Sequence, residues 1–110
     1  MTAVYVDCTP EMRRVIAGRA LPVPDGVTIA DGTPDLAALI PLCRGADTIA
    51  VEHTVIPPAL LDACPSVRRI VFMGTGAGTY VDLADADRRG VEVVTTPGYG
   101  DRAVAEHALA

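Results

Sequence analysis

Short apolar runs alternate with helix-forming stretches five times along the chain. The runs predict strands at Ala3 to Asp7, Val27 to Ala30, Asp47 to Glu52, Val67 to Phe72 and Val91 to Val94. Short parallel strands need helical crossovers, so this alternation predicts an α/β fold with a parallel sheet and helices on both faces. The commonest arrangement of five such units is flavodoxin-like, and we expect the last two strands at the centre of the sheet.

The stretches between these runs carry helix start and stop signals. Helices are predicted at Glu11 to Arg19, from Asp35 to the glycine at Gly45, from Pro57 and Pro58 through Ala63, and at Asp82 to Arg89. Residues 31–34 are expected to supply the turn and N-cap before the second helix. In the last helix Asp82 fits the N-cap, Asp85 the acidic first turn and Gly90 the residue after the end, so their role is mainly structural.

The final stretch does not look like the end of a domain. Asp101 fits an N-cap, and the positions that follow form one apolar helical face: Val104, Ala105, Ala108 and Leu109. The last three residues carry no cap, basic turn or polar tail. We therefore expect this chain to be the N-terminal part of a longer protein, with its final helix truncated.

Composition limits the classes of function. Half of the 110 residues are hydrophobic, and a net charge of −5 disfavours a nucleic acid or an anionic membrane as partner. All nine basic residues are arginine, which excludes a Walker-type loop and lysine chemistry. No apolar run approaches the ~18 residues of a membrane span and no leader pattern is present, so a cytoplasmic protein is expected. Three widely spaced cysteines indicate reduced structural thiols and no metal site.

The most informative segment is GTGAGTYVDL at residues 74–83, which follows a predicted strand. Glycines let exposed backbone amides approach an anion, and loops at the carboxyl ends of parallel strands form the binding crevice. The segment therefore suits a carboxylate or a phosphate. It is not a dinucleotide fingerprint, because Thr79 replaces the third glycine and no ribose-binding acid follows the next strand. A tight turn without a ligand is the competing interpretation.

Other chemical candidates are weaker. His53 and Thr54 stand where the third strand ends, at the same sheet edge as the glycines. His53 and His107 each follow a glutamate, but adjacent side chains point in different directions, so neither pair is a ready acid–base or metal site. Ser66 is not in a nucleophile elbow and the cysteines lack a neighbouring base, so neither supplies a nucleophile.

Four segments in succession resemble the D-isomer-specific 2-hydroxyacid dehydrogenases, a family that includes phosphoglycerate dehydrogenase. They are PSVRRIV at 65–71, GTGAGTYVDL at 74–83, RGVEVVTTPG at 89–98 and VAEHALA at 104–110. The first 46 residues share only the alternation of strands and helices. Two positions depart from the family pattern, since Thr79 replaces a common aspartate and Thr95 a common asparagine.

The resemblance implies the N-terminal part of a two-domain oxidoreductase that uses NAD or NADP. Residues 1–98 would form the substrate-binding domain, and residues 99–110 would begin the helix that links it to a Rossmann domain outside this sequence. The substrate would be a small 2-hydroxy or 2-oxo acid, with hydride transfer at C2. The full-length protein would be a homodimer, and the isolated 110 residues would be inactive.

The resemblance also implies roles for particular residues. The substrate carboxylate would be held by the backbone amides of Gly76, Ala77 and Gly78, and Thr54 is expected in the same site because of its position at this sheet edge. The cofactor would be approached by Gly78 and Val104, and the interdomain hinge would consist of Thr96, Pro97 and Gly98. The family's catalytic arginine, glutamate and histidine lie beyond this sequence, so no catalytic residue is expected here and His107 is not the acid–base histidine.

Two interpretations from other classes stay open. A free-standing flavodoxin-like domain, with a regulatory or small-anion binding role, would use the same crevice without a second domain. A flavin-binding electron carrier would also suit the fold. It is disfavoured because the chain has no tryptophan and only four aromatic residues, one phenylalanine and three tyrosines.

Overall fold

Strands and helices alternate along the chain as the sequence predicts. The computed structural model describes residues 2–19, 22–74 and 76–95. Its elements are β1 (Ala3–Cys8), α1 (Pro10–Gly18), β2 (Val27–Asp31), α2 (Leu36–Cys43), β3 (Thr48–Val51), α3 (Pro58–Ala63), β4 (Arg69–Phe72), α4 (Ala77–Tyr80), α5 (Leu83–Arg88) and β5 (Glu92–Thr95). All five predicted strands and the four helices predicted within these residues are present, and α4 is an additional single turn.

The five strands are all parallel and lie in the order β2-β1-β3-β4-β5. This is the flavodoxin-like order, so the predicted fold class is confirmed. β4 is an interior strand, as expected. The central position expected for Val91 to Val94 is wrong, because β5 forms one edge of the described sheet and Val94 is exposed. An apolar run indicates that both faces of a strand are covered. It does not indicate whether the strand has one or two neighbours in the sheet.

The sheet has a hydrophobic core on each face. Successive strand residues point to opposite faces, so Val4 and Val6 belong to one core and Tyr5 to the other. The larger core contains residues of α2, α3, α4 and α5, whereas Tyr5 packs with Met12 and Ile16 of α1. Helices therefore cover both faces, as the sequence predicts.

The helix ends carry most of the expected capping chemistry. The Asp82 carboxylate accepts the Asp85 amide at 3.0 Å, and such a cap contributes about 1 kcal/mol. Gly45 and Gly90 follow α2 and α5 with φ of 83° and 71°, a conformation that favours glycine. The cap of α2 lies later than predicted, at Asp35, whose carboxylate accepts the amide of the third helical residue at 3.0 Å.

The three cysteines lie where structural thiols are expected, in the interior of the protein. All three are free and buried. Burial, and to a lesser extent the neighbouring Cys64, raises the pKa of the Cys43 thiol to about 12, so Cys43 is protonated near neutral pH and is not a nucleophile. Within the described ranges, no group of three His, Cys, Asp or Glu side chains is placed to hold a metal ion.

Part of the predicted site falls on residues that the structure does not describe. The hinge residues Thr96, Pro97 and Gly98, the final helix and Val104 all lie outside the described residues. Among the helices of residues 2–19, 22–74 and 76–95, none has the length and apolar character needed to cross a membrane.

Candidate functional site

The carboxyl ends of β1, β3 and β4 meet at one edge of the sheet, because the strands are parallel. Asp7 lies near the end of β1, Thr54 follows β3 and Gly76 follows β4. The Met73 amide donates to the Val51 carbonyl at 2.9 Å, which holds the ends of β3 and β4 side by side. The fold therefore brings the predicted glycine segment and Thr54 to the same edge.

Asp7 is a fully buried carboxylate at this edge. Its Oδ1 accepts the Glu52 amide at 2.9 Å, and its Oδ2 accepts the His53 amide at 2.7 Å and the Thr54 hydroxyl at 2.8 Å. A buried carboxylate requires such donors, because its desolvation is otherwise costly. Asp7 therefore fixes the turn that follows β3.

The Thr54 side chain is buried and its hydroxyl donates to Asp7. This bond gives Thr54 a role in positioning the turn. A direct contact between Thr54 and a substrate stays a prediction. The neighbouring Glu52 accepts the Tyr5 hydroxyl at 2.8 Å, so Glu52 and His53 have separate partners, as expected for adjacent residues.

The His53 ring lies between two polar groups. Its Nδ1 is 3.4 Å from Oδ2 of Asp7, and its Nε2 is 3.1 Å from the hydroxyl oxygen of Thr33. The side chain is 35% exposed, so the ring is held in place and still reaches solvent. His53 is thus neither a fully buried core histidine nor a free surface side chain.

The three glycines of the segment differ in what folding requires of them. A Cβ on Gly74 would lie 2.9 Å from Phe72, whose ring stacks on Tyr80 with centroids 5.3 Å apart, so packing requires Gly74. A Cβ on Gly76 or Gly78 would make only ordinary contacts, at 3.7 and 3.5 Å, and neither residue has a positive φ. Packing therefore requires the glycine at 74, whereas contacts with the described residues give no steric reason for glycine at 76 or 78.

The glycine segment, expected to be a loop leading to a helix, itself contains a helical turn. Residues Ala77–Tyr80 form α4, which begins after Gly76. The first amides of a helix have no intrahelical acceptor, and those of Ala77 and Gly78 have none among the described residues. Four residues are barely one turn, too few for a periodic pattern to reveal the helix.

Two adjoining cavities open at this edge. One has a volume of about 510 Å³ and is lined in part by Gly78. The other has a volume of about 340 Å³ and is lined in part by His53 and Thr54. Val55 and Pro57 line both cavities, so these two residues form the boundary between them.

Comparison with known proteins identifies the family. Residues 5–110 match the family model of the D-isomer specific 2-hydroxyacid dehydrogenase catalytic domain. The chain belongs to this family. The match confirms the resemblance seen in the motifs and extends it to almost all of the first 46 residues.

Curated relatives of this 2-hydroxyacid dehydrogenase domain are longer proteins. Hydroxypyruvate reductase of Blautia hydrogenotrophica is 29% identical over 76 residues, which are 69% of this chain and 23% of that protein. UDP-N-acetylglucosamine 1-carboxyvinyltransferase of Streptococcus pneumoniae is 30% identical over 89 residues, but these are 20% of its length. The chain thus spans about a quarter or less of either relative.

Two solved structures share the fold of the 2-hydroxyacid dehydrogenase domain. An acyclic imino acid reductase in complex with NADPH and D-Arg gives a TM-score of 0.73 at 20% identity, over 97% of this chain and 34% of its own. D-2-hydroxyisocaproate dehydrogenase gives 0.69 at 17% identity, over 99% of this chain and 33% of its own. At such identities the likeness shows the fold.

Two residues at this edge of the sheet, Asp7 and Thr33, are not predicted from the sequence. The sequence pattern places Asp7 at the end of a strand and Thr33 in a turn, and it indicates neither as part of the site. The partners of Asp7 lie 45 to 47 residues away in sequence, so no local pattern could indicate them. The one available signal was an acidic residue inside a run that is otherwise apolar.

Proposed function

We propose that this chain is the substrate-binding part of an NAD(P)-dependent D-2-hydroxyacid dehydrogenase. The family match over residues 5–110 carries the proposal. The enzyme would act on a small 2-hydroxy or 2-oxo acid, in the cytoplasm and as a homodimer in its full-length form. The domain that completes the active site would be encoded beyond residue 110.

The amides of Gly76, Ala77 and Gly78 would bind the substrate carboxylate. No described residue accepts the amides of Ala77 and Gly78, and a Cβ at 76 or 78 would make only ordinary contacts, which supports this role. A side chain at either position would occupy space that the carboxylate needs. This part of the enzyme would contribute orientation of the acid, so that C2 faces the partner domain.

The glycine segment differs from a dinucleotide-binding fingerprint in two respects. The helix after the glycines is one turn long, and Thr79 occupies the third glycine position of the fingerprint. NAD or NADP would therefore be held mainly by the absent domain, with Gly78 and Val104 facing the nicotinamide. When bound, a nicotinamide cofactor supplies or accepts the hydride at C2. The imino acid reductase that shares the fold was solved with NADPH, which favours a nicotinamide cofactor.

Closure of the two domains over the bound acid would complete the active site. Thr96, Pro97 and Gly98 would act as the hinge between the two domains, and closure would exclude water from the bound acid. The histidine that exchanges the hydroxyl proton would come from the absent domain. This chain would thus bind and orient the acid, and no catalytic residue is assigned to it.

Gly78→Val in the full-length enzyme tests the carboxylate site. The added side chain would obstruct the amides, so we expect KM for the 2-oxo acid to rise roughly tenfold or more, a loss of about 1.4 kcal/mol in binding. Steady-state kinetics give KM, and thermal unfolding reports whether the variant folds.

Gly18→Val is the matched control. A Cβ at this position, the end of α1, meets nothing within 4 Å, so the same substitution should leave KM unchanged. An unchanged KM in Gly78→Val would remove the glycine segment from the substrate site.

A further inference from the structure

We propose that the dipeptide formed by Asp25 and Gly26 is a site of spontaneous isomerisation, at which Asp25 converts into isoaspartate and disturbs the start of β2. The identical dipeptide at the other end of the same strand, Asp31 and Gly32, is protected by its hydrogen bonds. The first dipeptide lies at the amino ends of the strands, opposite the candidate site, so this inference does not depend on the proposed function.

An aspartate followed by glycine favours this reaction, because glycine has no Cβ to hinder attack by its backbone nitrogen. The Gly26 nitrogen attacks Cγ of Asp25 and an N–Cγ bond forms. A carboxylate oxygen leaves as water, together with the amide proton and a proton from solvent. Water then opens the cyclic succinimide, and opening at the main-chain carbonyl leaves the chain running through Cγ, which is isoaspartate. Water is lost and regained, so no oxidant or reductant is required.

The two groups that must react at Asp25 are not engaged by any described residue. Both Asp25 and Gly26 are exposed, and no described residue contacts the Asp25 carboxylate by a hydrogen bond or an ion pair. The Val27 amide donates to the Pro24 carbonyl at 3.2 Å and closes a turn, whereas the Gly26 amide has no acceptor among the described residues. Gly26 has φ of 83°, as the third residue of a type II turn requires. The attacking nitrogen and the carboxylate therefore meet no competing partner there.

At Asp31 and Gly32 the same two groups are engaged. The Asp31 carboxylate accepts two hydrogen bonds from Arg13, at 3.0 Å from Nε and 2.6 Å from Nη2. The Gly32 amide donates to the Cys8 carbonyl at 3.4 Å, and Asp31 is the last residue of β2, where it pairs with Cys8. The succinimide can form only after these bonds break, so we expect this dipeptide to react more slowly.

Isoaspartate at position 25 would lengthen the main chain by a methylene group inside the turn that begins β2. The Gly26 carbonyl accepts the Ala3 amide at 2.8 Å, and pairing of β1 with β2 begins with Ala3 and Val27. Within the described sheet β2 is an edge strand, so it has no second neighbour to hold it in register. We therefore expect the Ala3 amide to lose protection from hydrogen exchange when Asp25 isomerises.

The test is to age the full-length protein in neutral buffer at physiological temperature and to follow isoaspartate at both positions. Trypsin cleaves after Arg19 and Arg44, so a single peptide carries both dipeptides, and electron-transfer fragmentation locates isoaspartate within it. We expect isoaspartate to accumulate at position 25 roughly tenfold faster than at position 31, or more. Hydrogen exchange of the Ala3 amide should be faster in the aged protein than in fresh protein.

Two controls separate the fold from the local sequence. Asp25→Glu keeps the charge, but the corresponding ring is larger and forms far more slowly, so the Ala3 amide of this variant should keep its protection on ageing. In urea the hydrogen bonds around Asp31 are lost, and both positions should then isomerise at similar rates, because each is an aspartate followed by glycine.

Equal rates at the two positions of the folded protein would overturn the inference, and so would a difference that persists in urea. Absence of isoaspartate at position 25 in the aged folded protein would show that the turn protects Asp25 and would equally refute it. If ageing lowers the protection of the Ala3 amide to the same extent in the wild type and in Asp25→Glu, the proposed effect on β2 is wrong.

Discussion

Asp7 is the side chain whose loss should cost the fold most at the candidate site. Asp7→Asn replaces an acceptor oxygen by an amide donor, which would then face one of the three donors that Asp7 now accepts. A buried donor left without a partner costs about 1 to 3 kcal/mol, so we expect a loss of that size in the free energy of unfolding. Urea denaturation followed by far-UV circular dichroism measures it.

Asp31→Asn is the control for this substitution. Asp31 also stands at a strand end, but its carboxylate is exposed and pairs with Arg13 at 2.6 Å on the surface. Exposed pairs contribute little, so the loss should stay below about 1 kcal/mol. Equal losses in the two variants would show that burial of Asp7 is not what stabilises the turn.

For single residues, the sequence predicts roles that depend on near neighbours better than roles that depend on distant hydrogen-bond partners. The capping roles of Asp82 and Gly90 depend on neighbours within a few positions, and the structure bears them out. The roles of Asp7 and Thr33 depend on contacts with the turn after β3, at least 20 residues away in each case. Such contacts arise only once the sheet has formed.

Helix α5 is the element with the clearest dependence on pH. Hydrogen bonds from Arg89 at 2.7 Å and Arg88 at 2.9 Å hold the pKa of Asp85 below its ordinary value, although burial opposes them. A carboxyl with a lowered folded pKa stabilises the protein above its unfolded pKa of about 3.9, and this contribution is lost as pH falls through the folded value.

Asp85→Asn should therefore be less stable than the wild type near neutral pH, and the difference should shrink once the pH falls below about 4. Urea midpoints of both proteins across the acid range measure the difference. Asp87→Asn, an exposed position on the same helix, should show a small and constant difference. A gap that widens on acidification would contradict the assignment.

Elements were predictable where their patterns were long or their ends well marked. α5 has both an N-cap and a C-terminal glycine, and the structure places it within one residue of its predicted bounds. α4 has neither length nor a capping side chain. The position of β5 in the sheet depends on which strands pair, and this is a property of the whole fold.

At the scale of the whole molecule, the proposed function assigns substrate binding to the chain described here and catalysis to a further domain. We expect the purified 110-residue chain to reduce no 2-oxo acid with NADH or NADPH, because the proposed catalytic groups lie elsewhere, while the full-length enzyme does so. Nicotinamide absorbance measures turnover, and far-UV circular dichroism confirms that the isolated chain is folded.

Turnover by the folded chain alone would refute this division. Tight binding of a small acid by the chain, with no turnover in any longer form of the protein, would instead favour a free-standing flavodoxin-like domain with a binding or regulatory role.

The parallel sheet also has a consequence for the evolution of the domain. Gly76, Gly78 and His53 are not members of the two hydrophobic cores. If the acid binds at the glycine segment as proposed, exchanges at Gly76 and Gly78 would alter which acid is bound with little penalty in folding. New specificities can arise in related lineages while the same five strands persist.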